Sequence, residues 1–177
     1  MKIDIDNRVP LSADETFHLL RDDMPALVPF LYDVDRIEVV EREEDGDLVQ
    51  ILNHWYGSLN KVPRALRAFV KPELMSWIDH AEWSTEKRQA SWWLESKVGD
   101  DVFDCTGTTT IEEIDEDTAQ LKMKIDLKIY PERVPGIPRL LARKVRSQIE
   151  NLIAGQLTPN MENLAVSIRR YAEDKGR

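Results

Sequence analysis

Alternating apolar and polar residues run through most of the first 130 positions and predict strands. Residues 2–9 place Ile3, Ile5 and Val9 on one face and mainly charged side chains on the other. This is the pattern of a strand with one buried face. Residues 119–130 alternate most clearly, and the remaining strands are predicted at 37–42, 48–56, 73–83, 89–98 and 102–114. The turns between most of them are short, so neighbouring strands should pair antiparallel as a meander.

Helical periodicity marks two other regions of the chain. Ser12 and Glu15 have the spacing of a capping box, which predicts that a helix begins there. Pro25 and Pro29 limit the next segment to a second short helical piece. After Pro138, apolar residues recur at steps of three and four, which predicts a long C-terminal helix. Its stripe comprises Leu141, Val145, Ile149, Leu152, Ile153, Gln156, Leu157, Met161, Leu164, Ala165, Ile168 and Tyr171.

Two segments interrupt this regular pattern. Residues 57–70 contain Pro63 and are predicted as a loop with one or two helical turns. Pro159 lies inside the C-terminal helix, where its ring would clash with the carbonyl group of Gly155. We therefore expect a kink or a break at Pro159.

Together these elements predict an α+β fold of the helix-grip type. Seven antiparallel strands accumulate twist, so the sheet should curve rather than stay flat. Two short helices follow the first strand, and the long C-terminal helix should cover the apolar, concave face of the sheet. The sequence has no linker or repeat, which predicts a single domain over residues 1–177.

Composition excludes several classes of protein. The net charge of −9 argues against nucleic-acid binding, which needs clustered Lys and Arg. Cys105 is the only cysteine and no apolar signal segment begins the chain, so we expect a cytoplasmic protein. His18, His54 and His80 are scattered, and we predict neither a metal site nor a cofactor.

The element order and one stretch of sequence resemble the START-like superfamily, also called SRPBCC. The stretch is Trp55-Tyr56-Gly57, Val62-Pro63, Val70-Lys71-Pro72-Glu73, Trp77 and Glu82-Trp83. The resemblance implies a cavity between the sheet and the final helix. Members of this superfamily carry lipids, sterols or polyketides, cyclise aromatic polyketides, act as co-chaperones or oxygenate rings as Rieske partner domains. Fold analogy does not choose among these activities.

The more apolar face of each strand is taken as the inward face, which yields a set of candidate ligand-binding residues. They are Asn53, Trp55, Met75, Trp77, Asp79, Trp92, Phe103, Cys105, Ile125, Leu127, Ile149, Leu152, Ile153 and Gln156. Asn53 and Asp79 stand out as polar residues on apolar faces. An inward Asp79 must find a partner, become protonated or face a wet cavity. The alternative is a register shifted by one residue, which would turn both to solvent.

Other conspicuous residues have competing interpretations. The five tryptophans form either an aromatic pocket wall or ordinary core. Trp93 falls on the polar face of its strand and indicates an exposed aromatic residue or a bulge. Cys105 is expected to be an inert core residue. His54 and His80 are predicted to face outward, and either could be a general base only if the register differs.

These features favour a carrier or sensor that encloses a hydrophobic or amphipathic small molecule of lipid, sterol or polyketide type. One alternative is an aromatase/cyclase- or dehydratase-type enzyme, with Asp79 or a histidine moving protons. A second alternative is a co-chaperone-like interaction module. Lys61, Arg64, Arg67 and Lys71 could contact an anionic membrane surface, steer an acidic ligand or simply be solvated.

Overall fold

The computed structural model of the protein describes residues 1–58, 72–97, 102–134 and 139–176. These residues contain seven strands, three α-helices and three short 3₁₀ segments. The strands are β1 Lys2–Val9, β2 Val34–Asp45, β3 Leu48–Gly57, β4 Ser76–Ser84, β5 Gln89–Ser96, β6 Phe103–Asp115 and β7 Thr118–Ile129. The α-helices are α1 Ala13–Asp22, α2 Arg139–Glu162 and α3 Leu164–Asp174. The 3₁₀ segments are Met24–Phe30, Pro72–Met75 and Pro131–Arg133.

All seven strands form one antiparallel sheet in the order β1-β7-β6-β5-β4-β3-β2. The prediction of a seven-stranded meander is therefore confirmed. Strands β2 to β7 follow one another, and β1 returns to pair with β7. Consequently, β1 and β2 are the two edges of the sheet. None of the described helices is both long and apolar enough to cross a membrane.

The first helix begins as its sequence indicates. Ser12 Oγ accepts a hydrogen bond from the Glu15 backbone N–H at 3.2 Å, and Glu15 Oε2 accepts one from the Ser12 backbone N–H at 3.1 Å. This reciprocal pair is a complete capping box. The second helical piece is the 3₁₀ segment Met24–Phe30, whose prolines prevent a longer regular helix.

The expected break in the C-terminal helix lies at a different residue from the one predicted. Helix α2 continues through Pro159 and ends at Glu162. At Asn163, both the backbone N–H and the side-chain Nδ2 donate to the Pro159 carbonyl oxygen at 2.9 Å. The proline removes only one N–H from the helix, and the break comes at Asn163, where α3 begins.

Two strand boundaries also differ from the prediction. Strand β2 is longer than expected, and register irregularities between Val34 and Arg36 and between Val39 and Glu41 interrupt its pairing. Residues 73–75 form a 3₁₀ turn instead of the start of β4, because the β3–β4 ladder reaches only as far as Ser76. The predicted loop covered residues 57–70, and its part from residue 59 onward lies outside the described residues.

The predicted inward faces are the buried faces in most strands, whereas in β4 Ile78 of the outward face is also buried. Along β3, Val49, Ile51, Asn53 and Trp55 are buried, while the residues between them are half-buried or exposed. The same alternation holds in β5 and in most of β6 and β7. Asn53 is buried and lies directly opposite Asp79 in the uninterrupted β3–β4 ladder, so both belong to the buried face and the alternative of a one-residue shift is wrong.

Buried polar side chains attach the first 3₁₀ segment to the C-terminal helices. Asn160 Oδ1 accepts from the Tyr32 backbone N–H, and Asn160 Nδ2 donates to the Tyr32 carbonyl oxygen, both at 2.8 Å. Asn160 Nδ2 also reaches the Gln156 carbonyl oxygen at 2.9 Å. One turn into α3, Ser167 Oγ donates to the Phe30 carbonyl oxygen at 3.0 Å. These bonds hold the N-terminal and C-terminal helical layers together.

We predict that Asn160→Ala lowers the free energy of unfolding by roughly 2–4 kcal/mol, because three hydrogen bonds of a buried amide are lost. Chemical denaturation, monitored by circular dichroism, measures this free energy. Asn163→Ala is the matched control, since the Asn163 side chain is exposed and makes one local bond. Its effect should stay below about 1 kcal/mol. Equal losses in the two variants would contradict the role assigned to Asn160.

Candidate ligand-binding cavity

A cavity of about 100 Å³ lies between the concave face of the sheet and the helical layer. Strands β3 to β7 form its floor. Helix α1, the residues that follow it, the end of α2 and the start of α3 form its cover. The described residues that line it are Leu20, Met24, Leu31, Trp55, Trp77, Asp79, Ala81, Trp83, Trp92, Leu94, Thr109, Met123, Leu157, Asn160, Met161 and Leu164. This wall is largely apolar, as in small-molecule sites generally.

Four tryptophans account for much of the wall. Trp55 and Trp77 are directly opposite on β3 and β4, and their rings stack with centroids 5.8 Å apart and an interplanar angle of 20°. Trp83, further along β4, meets Phe17 of α1 edge to face at 5.4 Å. These large rings are rigid and cannot collapse into the space between the layers. They therefore favour a void where the sheet and the helices diverge.

The fourth tryptophan is positioned by a glycine and a threonine on the neighbouring strand. Gly107 lies directly opposite Trp92, and a Cβ atom at this position would overlap the Trp92 ring. The indole can thus lie flat across β6 only because Gly107 has no side chain. Trp92 Nε1 donates a hydrogen bond to Thr109 Oγ1 at 3.0 Å, which fixes the orientation of the ring.

Asp79 is the one ionisable side chain among the described residues that line the cavity. It lies on β4 between Trp77 and Ala81, and part of its surface is open to the cavity, so its exposure is intermediate. Burial in this apolar surrounding raises the pKa of Asp79 to about 7 from an ordinary value of 3.8. The carboxyl group can therefore exchange a proton near neutral pH.

Two polar neighbours partly offset the effect of burial on Asp79. Asn53 is directly opposite Asp79 on β3, and Trp55 follows two residues later on the same face. Both side chains lie close enough to stabilise the carboxylate and pull its pKa down, although less than burial raises it. The Trp55 contact falls short of ordinary hydrogen-bond geometry, because Trp55 Nε1 is buried without a partner among the described residues. Asn53 Oδ1 is also buried without a described partner, but as an acceptor it could not pair with the carboxylate.

Four of the predicted site residues line this cavity, namely Trp55, Trp77, Asp79 and Trp92. The other predicted site residues are not among its described lining. Phe103, Cys105, Ile125 and Leu127 share the concave face but are packed into the core. Asn53 is buried opposite Asp79 on β3, and Met75 is buried in the 3₁₀ turn that precedes β4.

The helical contribution to the cavity comes from later turns than the sequence predicts. Ile149 and Gln156 are buried and Leu152 and Ile153 are half-buried, but none of them is part of the described lining. The carboxamide of Gln156 packs instead against β3, where a Cβ on Gly57 would lie 2.6 Å from its Oε1. Leu157, Asn160, Met161 and Leu164 reach the cavity in their place.

Several lining residues were absent from the predicted set. Ala81, Trp83, Leu94, Thr109 and Met123 were already on predicted inward faces, so strand alternation could have identified them. Leu20, Met24 and Leu31 are apolar residues of the first predicted helical region, and Leu157, Met161 and Leu164 lie on the predicted C-terminal stripe, whereas Asn160 is a polar residue outside it. Periodicity shows that such a stripe is buried, but it does not show which turn of the helix borders a void.

The thiol and the histidines lie away from the cavity. Burial raises the pKa of Cys105 to about 12, which keeps the thiol protonated and unreactive at neutral pH. His54 and His80 lie on the convex face, as predicted. His80 stacks on Trp93 with ring centroids 3.7 Å apart, and its Nε2 lies 2.9 Å from Glu95 Oε2. Trp93 is an exposed surface aromatic in a regularly paired strand, not a bulge.

The basic segment with Lys61, Arg64, Arg67 and Lys71 lies outside the described residues, so its contact with a membrane stays a prediction. In α2, Arg146 is exposed and its Nε lies 3.0 Å from Glu150 Oε1. Over the parts of the chain that the structure describes, no group of three or more His, Cys, Asp or Glu side chains could hold a metal ion.

Comparison with known proteins shows similarity in structure but not in sequence. No protein-family model and no curated protein matches the sequence. A protein from Thermus thermophilus matches over the full length of both chains with a TM-score of 0.64 and 16% identity. The Zhui aromatase/cyclase from a Streptomyces species has a TM-score of 0.64 and 11% identity, covering 100% of this chain and 96% of that one.

A third match is norcoclaurine synthase from Thalictrum flavum in complex with dopamine and hydroxybenzaldehyde. Its TM-score is 0.52 at 14% identity, and the match covers 98% of this chain and 87% of that one. At such identities the similarity establishes the fold alone. The chain therefore shares the fold of these proteins, which is the helix-grip fold that its resemblance to the START-like (SRPBCC) superfamily implies.

The raised pKa of Asp79 predicts how stability depends on pH. Between about pH 4 and pH 7 the folded protein retains a proton that the unfolded chain releases, so the Asp79 contribution to stability falls as pH rises through this window. Asp79→Asn removes the ionisation while keeping the shape. The variant should match the native protein near pH 4 and exceed its free energy of unfolding at pH 8 by up to about 4 kcal/mol.

Denaturant unfolding of both proteins at several pH values measures this difference. Asp35→Asn is the control, because it neutralises an exposed carboxylate on β2 of the same sheet. It should change stability little at any pH. A constant difference between native protein and Asp79→Asn from pH 4 to pH 8 would show that Asp79 is well solvated.

Proposed function

We propose that the protein binds a small, largely apolar molecule, about the size of one aromatic ring, in the tryptophan-walled cavity. The observation that carries the proposal is the cavity of about 100 Å³ whose lining includes Trp55, Trp77, Trp83 and Trp92. Filling it with a ligand would bury apolar surface, worth about 25 cal/mol per Å². It would also restore the dispersion contacts that the void leaves unmade.

The size of the cavity narrows the ligand class. Sites for drug-sized molecules usually measure about 300–1,000 Å³, whereas an engineered cavity of about 150 Å³ takes up benzene. The volume of the cavity in this protein is closer to that of the benzene site than to that of a site for a drug-sized molecule. Met24 and Met161 line the cavity and are flexible, so they can provide the remaining space. A sterol or a polyketide would need the sheet and the helices to separate.

Ala81→Leu tests the proposal by filling the cavity from its floor. The larger side chain should occupy most of the space and weaken binding of benzene, used as a probe, at least ~10-fold. The affinity is measured by titrating the protein with benzene and monitoring the tryptophan indole N–H signals in nuclear magnetic resonance spectra. Ala154→Leu adds the same atoms to a half-buried position of α2 outside the described lining, and should leave binding unchanged.

Both variants are first checked for native unfolding transitions, because an overfilled core can lose about 1–3 kcal/mol of stability. The proposal is wrong if benzene shifts no indole signal of the native protein. It is equally wrong if Ala81→Leu binds benzene as tightly as the native protein does.

Asp79 supports a second candidate function, acid–base catalysis on a molecule bound in the same cavity. A carboxyl group with a pKa of about 7 can both accept and donate a proton near neutral pH. The Zhui aromatase/cyclase and norcoclaurine synthase share the fold. The fold is therefore compatible with catalysis, but in this chain it is Asp79 itself that favours a catalytic function.

Hydrogen–deuterium exchange next to the carbonyl group of phenylacetone, a small ketone with an aromatic ring on the adjacent carbon, tests this candidate. In heavy water, the Asp79 carboxylate would take a proton from the carbon beside the carbonyl, leaving an enolate; the carboxyl group would exchange this proton with the solvent and return a deuteron to the carbon. The native protein should accelerate the exchange in phenylacetone, and Asp79→Asn should reduce it to the buffer rate, while Asp35→Asn should retain it. If the native protein and Asp79→Asn give the same rate of deuterium exchange in phenylacetone, Asp79 is not the base in this reaction.

A further inference from the structure

The polar groups in the wall of the cavity differ in whether they are already paired. Asn160 uses both ends of its amide on the backbone of Tyr32 and Gln156. The Trp92 indole donates to Thr109. Because these groups are satisfied within the protein, they have little left to offer a ligand.

Two other polar groups at the wall, on Trp55 and Asp79, stand out. Trp55 is 9% exposed, and its Nε1 is a buried donor without a partner among the described residues. The Asp79 carboxyl group faces the same cavity. On the opposite strand, Asn53 Oδ1 is a further buried acceptor without a described partner. A buried polar group left unpaired costs about 1–3 kcal/mol, and in native proteins such a group calls for an explanation.

The two wall groups require different things of a ligand. The indole N–H of Trp55 needs an acceptor, whereas the carboxylate of Asp79 needs a donor. A hydroxyl group supplies both from a single oxygen atom. A hydrocarbon would leave both groups unpaired, and a carboxylate would place a second negative charge beside Asp79.

We propose that the cavity selects a neutral molecule with one hydroxyl group on an apolar body of about one ring, and that this hydroxyl bridges Trp55 Nε1 and the Asp79 carboxyl group. The inference rests on the proposed binding function and adds the chemical class of the ligand. Sites built to pair a hydroxyl group discriminate strongly against analogues that lack it, because the protein groups are then left unpaired.

The test compares phenol, benzene and benzoate as probes of the native protein at pH 7.5, by the same resonance titration. Phenol should bind at least ~10-fold more tightly than benzene, and benzoate should bind more weakly than either. Trp55→Phe keeps an aromatic ring in the wall but removes the N–H donor. It should reduce the preference for phenol over benzene to within about threefold.

Trp93→Phe is the control, since Trp93 is an exposed tryptophan on the convex face and its loss should leave the preference unchanged. If benzene binds but phenol binds no more tightly, or if Trp55→Phe keeps the full preference, the hydroxyl inference is wrong while the binding function stands. Tight binding of benzoate would also overturn it. If none of the three probes binds, the proposed binding function itself fails.

Discussion

The alternation of side chains across the pleated sheet governs what each strand residue can do in this protein. Because successive side chains point to opposite faces, Trp77, Asp79 and Ala81 share the concave face, whereas His80 belongs to the convex face. Cross-strand pairing sets Asn53 opposite Asp79 and Trp55 opposite Trp77. The same register that buries the tryptophans therefore carries a carboxyl group into an apolar interior.

A carboxyl group in this place opposes folding at neutral pH, because its charged form is poorly solvated. Apolar residues of the same shape would make a more stable sheet. Functional sites are where a fold commonly departs from its most stable choice. Asp79, together with the unpaired indole of Trp55, is the clearest such departure on the concave face of this sheet as far as the structure describes it.

The cavity depends as much on its cover as on its floor. Asn160 and Ser167 hold the 3₁₀ segment and the residues after it against the C-terminal helices on either side of the break at Asn163. Directional hydrogen bonds thus fix the cover in place, whereas purely apolar contacts could slide to close a void. Rigid indole rings below and a fixed layer above leave the gap open.

The sequence by itself determined which segments are strands and helices, which face of each strand is buried, and that Asp79 stands out on an apolar face. These features follow from local periodicity, which the pleat and the helical turn impose directly on neighbouring residues. The boundary at Met75 and the position of the helix break were missed, because they depend on where a partner strand ends and on a side chain that competes for a carbonyl oxygen.

Only the tertiary structure decided where the void lies, how large it is, and that α2 contributes Leu157 and Met161 instead of Ile149 and Leu152. Distances between elements far apart in the chain set these properties, and no periodic pattern records them. The neighbours of Asp79 were also decided only by the tertiary structure, because they lie on an adjacent strand whose register depends on the whole sheet.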